Sequence, residues 1–399
     1  MLDITLLGVL FVAIAIGYGL GFRQASRRSD ERVTPTSSGL SRDYFVGLNY
    51  LLNEQPDEAI NTFINTLDVN SDTVETHITL GKLFRSRGEA DKAVSIHQNL
   101  LARPALSDAT NAKVQLELAR DFVALGVHDR AQRLLRTLLD QDHDSDLRYP
   151  AKRLLIDLLE REKDWQSAFD TAAPLFKQYP NIRRAAAHWQ CELAENNMEN
   201  ASRALAKRHL KKALQLDPHC VRANLLFADL EMDNARYSRA IDRLARIVDQ
   251  DNAHLTTMVP ALKRAYLRND DEAGLERHLR QLIEISPYTS LIIELGELVH
   301  RRDGVDPAIS VTGDLLSQAP SLRGLNYLVD LYIESQRLQG RSSPDTRLML
   351  LKYHTEALLK NRPRHRCLRC GFTSDALQWQ CPTCRYWGTI KPIIGVEGE

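Results

Sequence analysis

The feature that most constrains this chain is a repeat. The segment "YFVGLNYLLNEQPDEAINTFINTL" beginning at Tyr44 aligns with "HITLGKLFRSRGEADKAVSIHQNL" beginning at His77. Gly47 then meets Gly81, Tyr50 meets Phe84, Ala59 meets Ala93 and Phe63 meets His97, each pair 34 residues apart. The pattern continues in "LELARDFVALGVHDRAQRLL" through Ala119, Phe122, Gly126 and Ala131, and in "LLIDLLEREKDWQSAFDTA" through Leu159 and Ala168. Looser copies run through Ala206, Leu210, Ala213 and Pro218, through Ala228, Ala240 and Leu244, through Tyr266, Leu279 and Pro287, and through Leu295, Gly296, Ala308 and Pro320. The key second-helix position, read as Ala59, Ala93, Ala131, Ala168, Ala206, Ala240, Leu275 and Ala308, advances by 34, 38, 37, 38, 34, 35 and 33 residues. Two antiparallel helices cannot bury both apolar faces alone, so each pair must stack on the next, with small residues where helices approach most closely.

This period, with a small residue in the first helix, an aromatic three later and an alanine nine beyond it, resembles the tetratricopeptide repeat. The resemblance implies an all-α superhelix of about eight pairs from residue 41 to roughly 340, within an array domain spanning 41–362. Its long concave face would bind peptides or proteins. His97 falls at the place of Phe63 and reads as buried packing; Trp165 and Trp189, at helical spacing, read as core rather than as a ligand platform. There is no glycine-rich phosphate loop, nucleophile elbow or His-Glu-x-x-His helix, and the 12 histidines form no evident pair, so nothing points to an enzyme. The 52 basic and 52 acidic residues cancel, which argues against a nucleic-acid-binding surface at large.

Ahead of the array, Ile4 to Phe22 run 19 residues without a charge, about 28 Å as a helix and close to the hydrocarbon thickness of a bilayer. Asp3 precedes this run and Arg23, Arg27 and Arg28 follow it, unlike a cleavable signal peptide. The expectation is a single-pass transmembrane anchor over residues 1–22, with residues 23–399 in the cytoplasm by the positive-inside rule. Gly17 and Gly21 would admit a second transmembrane helix, which leaves a homo-oligomer open, although glycine is also simply common in such helices. Residues 23–40 have the composition of a linker.

Four of the 6 cysteines fall in the last 33 residues, as two Cys-x-x-Cys knuckles with ten residues between them: Cys367, Cys370, Cys381 and Cys384. Cys191 and Cys220 stand alone in helical patterns, so the set is no secreted disulfide framework and fits a reducing compartment. Four thiolates at about 2.3 Å make a closed tetrahedral site suited to a metal ion, with no position left for a catalytic water. Zinc is favoured over the iron of a rubredoxin electron carrier: the two knuckles are close in sequence, and Arg385 stands where a rubredoxin usually has glycine. Arg364, Arg366, Arg369 and Arg385 either offset the charge of such a centre or, less in keeping with a neutral tethered protein, touch nucleic acid. Some 30 residues cannot hold a core alone, so the metal supplies folding free energy. The flanking aromatics Phe372, Trp379 and Trp387 are expected to pack on the last helices, roughly 322–338 and 344–360, and cap the solenoid.

The anchor, the segments "LSRDYFVGLNYLLNEQPDEAI" and "LGKLFRSRGEADKAV", and the ending "RCLRCGFTSDALQWQCPTCRYWGTIKPI" together resemble the lipopolysaccharide assembly protein B family of Gram-negative bacteria. The resemblance implies a tetratricopeptide-repeat superhelix with an N-terminal transmembrane helix and, at 363–395, a rubredoxin-like zinc ribbon whose metal ligands are Cys367, Cys370, Cys381 and Cys384. It implies a non-enzymatic adaptor on the cytoplasmic side of the bacterial inner membrane that regulates lipopolysaccharide biosynthesis. Its partners would be the membrane protease FtsH, the deacetylase that commits precursors to lipid A, and an inner-membrane regulator of lipopolysaccharide synthesis. A generic membrane-tethered scaffold and a rubredoxin-type electron carrier are the alternatives.

Overall fold

The computed structural model describes residues 74–396 apart from 104–105, 142–144, 341–344 and 361, together with residues 46, 47, 49, 50, 58, 62 and 398. The expected anchor, the linker and most of the first repeat lie outside the described residues. Among the described residues no helix is long and apolar enough to cross a membrane. The chain divides into two compact units, Met1–Leu106 and Ser107–Glu399.

In the first unit, α1 (Val74–Ser86) packs against α2 (Ala90–Leu101). A Cβ on Gly81 would stand 2.4 Å from Cε1 of the fully buried His97, so the first helix must carry glycine where the second presses an imidazole on it. His97 is the packing residue that its register predicts.

The second unit is itself a stack, with seven helix pairs among the described residues. They are α3 (Asp108–Ala124) with α4 (His128–Asp140), α5 (Ser145–Arg161) with α6 (Trp165–Ala172), and α7 (Pro180–Glu199) with α8 (Arg203–Leu216). Next come α9 (Val221–Asp233) with α10 (Tyr237–Ala245) and the short α11 (Ile247–Gln250), then α12 (Leu255–Arg268) with α13 (Glu272–Ile285). The last two pairs are α14 (Thr289–Asp303) with α15 (Val305–Gln318), and α16 (Leu322–Leu338) with α17 (Thr346–Leu359). Each first helix packs on its own second helix, and several pack on the first helix of the next pair as well.

The turn inside six of the described pairs explains why the repeat survives where its letters fade. A residue with positive φ ends the first helix at Gly88, Gly126, Lys163, Ala201, Ala235 and Asp270. The following amide then donates to the carbonyl five residues back: Glu89 to Phe84, Val127 to Phe122, Asp164 to Leu159, Ser202 to Asn197, Arg236 to Glu231 and Asp271 to Tyr266. This is the Schellman closure, which satisfies the orphan carbonyls of a helix end whatever the side chain. The key second-helix positions are sealed in turn, with Ala93, Ala131, Ala168, Ala206, Ala240, Leu275 and Ala308 all at 0% exposure.

After α17 the chain forms a small antiparallel sheet of β1 (His365–Cys367), β2 (Thr373–Ser374) and β3 (Ile390–Pro392), in the order β2-β1-β3. Its core is Cys367, Cys381 and Ile390 with Phe372, Leu377 and Cys384. That core is too small to stand without a cross-link.

Candidate metal centre

The two knuckles share one hydrogen-bond scheme. In the first, Cys367 N donates to Phe372 O at 2.7 Å and Gly371 N to Cys367 O at 3.0 Å; in the second, Cys381 N donates to Tyr386 O at 3.0 Å and Arg385 N to Cys381 O at 2.8 Å. The turn needs a left-handed residue after each second cysteine, and Gly371 (φ 79°) and Arg385 (φ 58°) supply it. Arginine there carries a cost of roughly 1 kcal/mol that glycine would avoid.

This geometry brings all four sulfurs within 4.8 Å of one another, with Cys367 Sγ 3.8 Å from Cys384 Sγ and Cys370 Sγ 3.6 Å from Cys381 Sγ. A tetrahedron with metal–sulfur bonds of about 2.3 Å has edges of about 3.8 Å, so the cage fits one ion. The thiols themselves call for a cation. Burial raises Cys381 to about 12, helped by its Cys370 and Cys384 neighbours. Burial acts the same way on Cys367, but Thr389 and the Cys370 and Arg369 amides outweigh it and bring that thiol down to about 6. Four sulfurs this close cannot all ionise unless a positive ion shares them. Arg369 lies 3.2 Å over the Tyr386 ring and so brackets the second knuckle.

The ribbon does not cap the solenoid as the sequence suggests. Only Phe372 turns into the ribbon's own core, while Trp379 and Trp387 leave it for the middle of the array. The Trp387 indole donates to Glu160 Oε1 at 2.6 Å, and the buried Trp189 donates to the same oxygen at 2.7 Å. His188 stacks on Trp387 at 5.2 Å and faces Trp379 at 5.9 Å, His254 faces Trp379 at 5.4 Å, and Trp165 meets Trp387 edge-on at 5.8 Å. Lys391 pairs with Asp251, and Val396 O accepts from Leu322 N at 3.0 Å. The ribbon is thus clasped to the side of the stack lined by α5, the first residue of α6, α7 and the turn that precedes α12, and meets the beginning of α16 through Val396. Its aromatics find buried polar partners there, whereas α17 keeps Met349, Leu350, Tyr353 and Leu358 exposed.

Burial sets the protonation of this interface. It raises the Glu160 carboxyl above its usual range, and the two indole N–H groups only partly offset that. It lowers His188 to about 3, with Arg222, Lys391, Arg184 and His254 adding repulsion, and lowers His254 to about 4. Both imidazoles are therefore neutral stacking surfaces at neutral pH. Reading by spacing missed Glu160, His188, His254 and Asp251, which stand far from the knuckles in the chain and carry no motif. It also treated Cys191 and Cys220 as solitary; their buried sulfurs lie 3.9 Å apart, across α7 and the start of α9.

Comparison with known proteins agrees with this architecture. A family model described as a rubredoxin metal binding domain matches residues 365–392, and tetratricopeptide repeat models match residues 116–180 and 193–256. Lipopolysaccharide assembly protein B of Escherichia coli (strain K12) is 33% identical over 399 residues, covering 100% of both chains. The protein of the same name from Haemophilus influenzae is 31% identical over 404 residues, covering 98% of each.

Proposed function

This chain belongs to the lipopolysaccharide assembly protein B family, and from that premise we propose that it is a non-enzymatic, membrane-tethered adaptor for the control of lipopolysaccharide synthesis. Residues 4–22 hold it in the bacterial inner membrane with residues 23–399 on the cytoplasmic side. The repeat array binds the deacetylase that commits precursors to lipid A and presents it to the FtsH protease, while an inner-membrane regulator of lipopolysaccharide synthesis engages the anchor. Confinement to the plane of the protease raises the effective concentration of the bound client.

The observation that carries this reading is the closed sulfur cage in a ribbon clasped to the repeats. Cys367, Cys370, Cys381 and Cys384 are its metal ligands, and zinc is the ion. A zinc ion there supplies cross-linking and charge neutralisation, not a reactive position. The protein's own groups do the remainder: the Arg369, Cys370, Thr383 and Cys384 amides direct their dipoles at sulfur, and Trp379 and Trp387 hold the cage against α5, α7 and α12. The proposed domain limits are 41–362 for the array and 363–395 for the ribbon.

Affinity purification of the full-length chain from membranes, followed by mass spectrometry and metal analysis, tests the reading. A colourless, zinc-loaded sample carrying the protease and the deacetylase supports it. A red, iron-loaded sample would point to electron transfer, and unrelated partners to a different scaffold role.

A further inference from the structure

Docking leaves a cleft of ≈ 380 Å³ between the second knuckle and helices α5 and α7. Arginines line it from both sides, Arg153 and Arg161 from α5, Arg184 from α7 and Arg385 from the ribbon. Two carboxylates also line it, but both have partners: Asp157 pairs with Arg153 at 3.0 Å, and Glu160 Oε1 accepts from two indoles. Arg184 spans 3.8 Å to Asp217. Arg161 and Arg385 feel Asp157 as well, at longer range than Arg153 does, but Arg385 Nη2 is buried without a hydrogen-bond partner. A buried, orphaned guanidinium nitrogen needs an acceptor. Arg385 also keeps a left-handed backbone that glycine would adopt without strain, so the turn by itself does not call for its side chain. Tyr149 and Tyr179, stacked at 4.1 Å, add an apolar wall.

We propose that this cleft binds a small phosphate-bearing ligand, gripped by Arg161 and Arg385 and bridging the ribbon to the repeats. Guanidinium forks match phosphate oxygens in pairs, which gives both strength and orientation. A ligand seated across the two parts binds only the docked arrangement, so its occupancy strengthens docking by mass action. The cage and the array thereby become responsive to a soluble or membrane phosphate ester. This inference is independent of the adaptor's partners and of which metal fills the cage.

The test uses the full-length, metal-loaded chain and inorganic pyrophosphate as probe. Saturable binding is expected, with a melting temperature raised on the order of 5 °C at a hundredfold excess over Kd. Arg385→Gly is the decisive variant, because glycine suits the φ of 58° at that position. It should keep metal content and not lower the unliganded melting temperature while weakening pyrophosphate at least tenfold, and Arg161→Gln should likewise weaken pyrophosphate with metal content kept. Absence of saturable binding, an Arg385→Gly chain that binds like the parent, or equal affinity for citrate would overturn the proposal. Dihexanoylphosphatidylglycerol below its micelle concentration separates the sources. Arginine-dependent binding of it assigns the phosphate to a lipid headgroup, and pyrophosphate binding without it assigns a soluble ester.

Discussion

Replacing Glu160 by alanine should release the ribbon, whereas replacing it by glutamine should not. One carboxylate oxygen accepts both the Trp189 and the Trp387 indole N–H, at 2.7 and 2.6 Å, where both rings are buried. Alanine leaves two buried donors without a partner, each worth about 1–3 kcal/mol, hence together about 2–6 kcal/mol. The Trp189 share destabilises the array and the Trp387 share destabilises docking. Glutamine keeps an oxygen able to accept twice; it gives up charge assistance but also removes a buried charge, so its net change is about 1 kcal/mol or less. Hydrogen exchange of segment 376–391 in the metal-loaded full chain reads the docking share. Because 1.4 kcal/mol is tenfold, Glu160→Ala should speed exchange by about 5- to 150-fold and Glu160→Gln by less than about fivefold. Metal content should stay unchanged in both. If the alanine variant exchanged like the parent, or the two variants behaved alike, the shared acceptor would not be what holds the ribbon in place.

Further expectations follow from the same geometry. Replacing Cys381 and Cys384 by serine should abolish metal binding and, since the metal contributes on the order of 10 kcal/mol to such units, leave the ribbon amides unprotected while the repeat helices stay folded; metal analysis with hydrogen exchange reads both. Gly388→Ala forces a side chain onto φ 65° and sets its Cβ 3.2 Å from His188 Nε2, so it should weaken docking by about 1–2 kcal/mol without loss of metal, seen in the same exchange experiment. For the pH dependence, the depressed values of His188 and His254 mean that the unfolded state binds more protons from about 6.5 down to about 3 for His188 and about 4 for His254. Their stabilisation is complete above about 6.5 and is lost as pH falls through those values. Glu160, raised by burial, acts in the opposite direction, losing its contribution as pH rises through its folded value. Melting temperatures should therefore rise between pH 4.5 and 6.5 and level off above, and His188→Gln should flatten the slope.

The array was readable because its constraint is local and periodic. Ala93 through Ala308 announce themselves by spacing, and each is sealed in the stack. The later pairs were faint in sequence because the Schellman turn tolerates Lys163, Ala201, Ala235 or Asp270 in place of glycine. The cysteine knuckles were legible for a similar reason, since ligand spacing is a short-range signal. The ribbon's position was not. Its partners lie up to 227 residues away, and Glu160 in "LLEREKDW" looks like any solvated helix residue. A long-range polar contact between a strandless loop and a helix face leaves no period to detect. The expectation of an end cap assumed that an exposed apolar terminus would attract the nearest aromatics. The indole N–H groups instead went where a buried acceptor could satisfy them.

The tether is the part of the adaptor proposal that a cellular measurement tests most directly. Pulse-chase measurement of the deacetylase half-life in cells carrying either the full chain or a chain lacking residues 1–22 tests it. Rapid turnover is expected with the full chain and a clearly longer half-life without residues 1–22, at equal adaptor abundance. An unchanged half-life would contradict it.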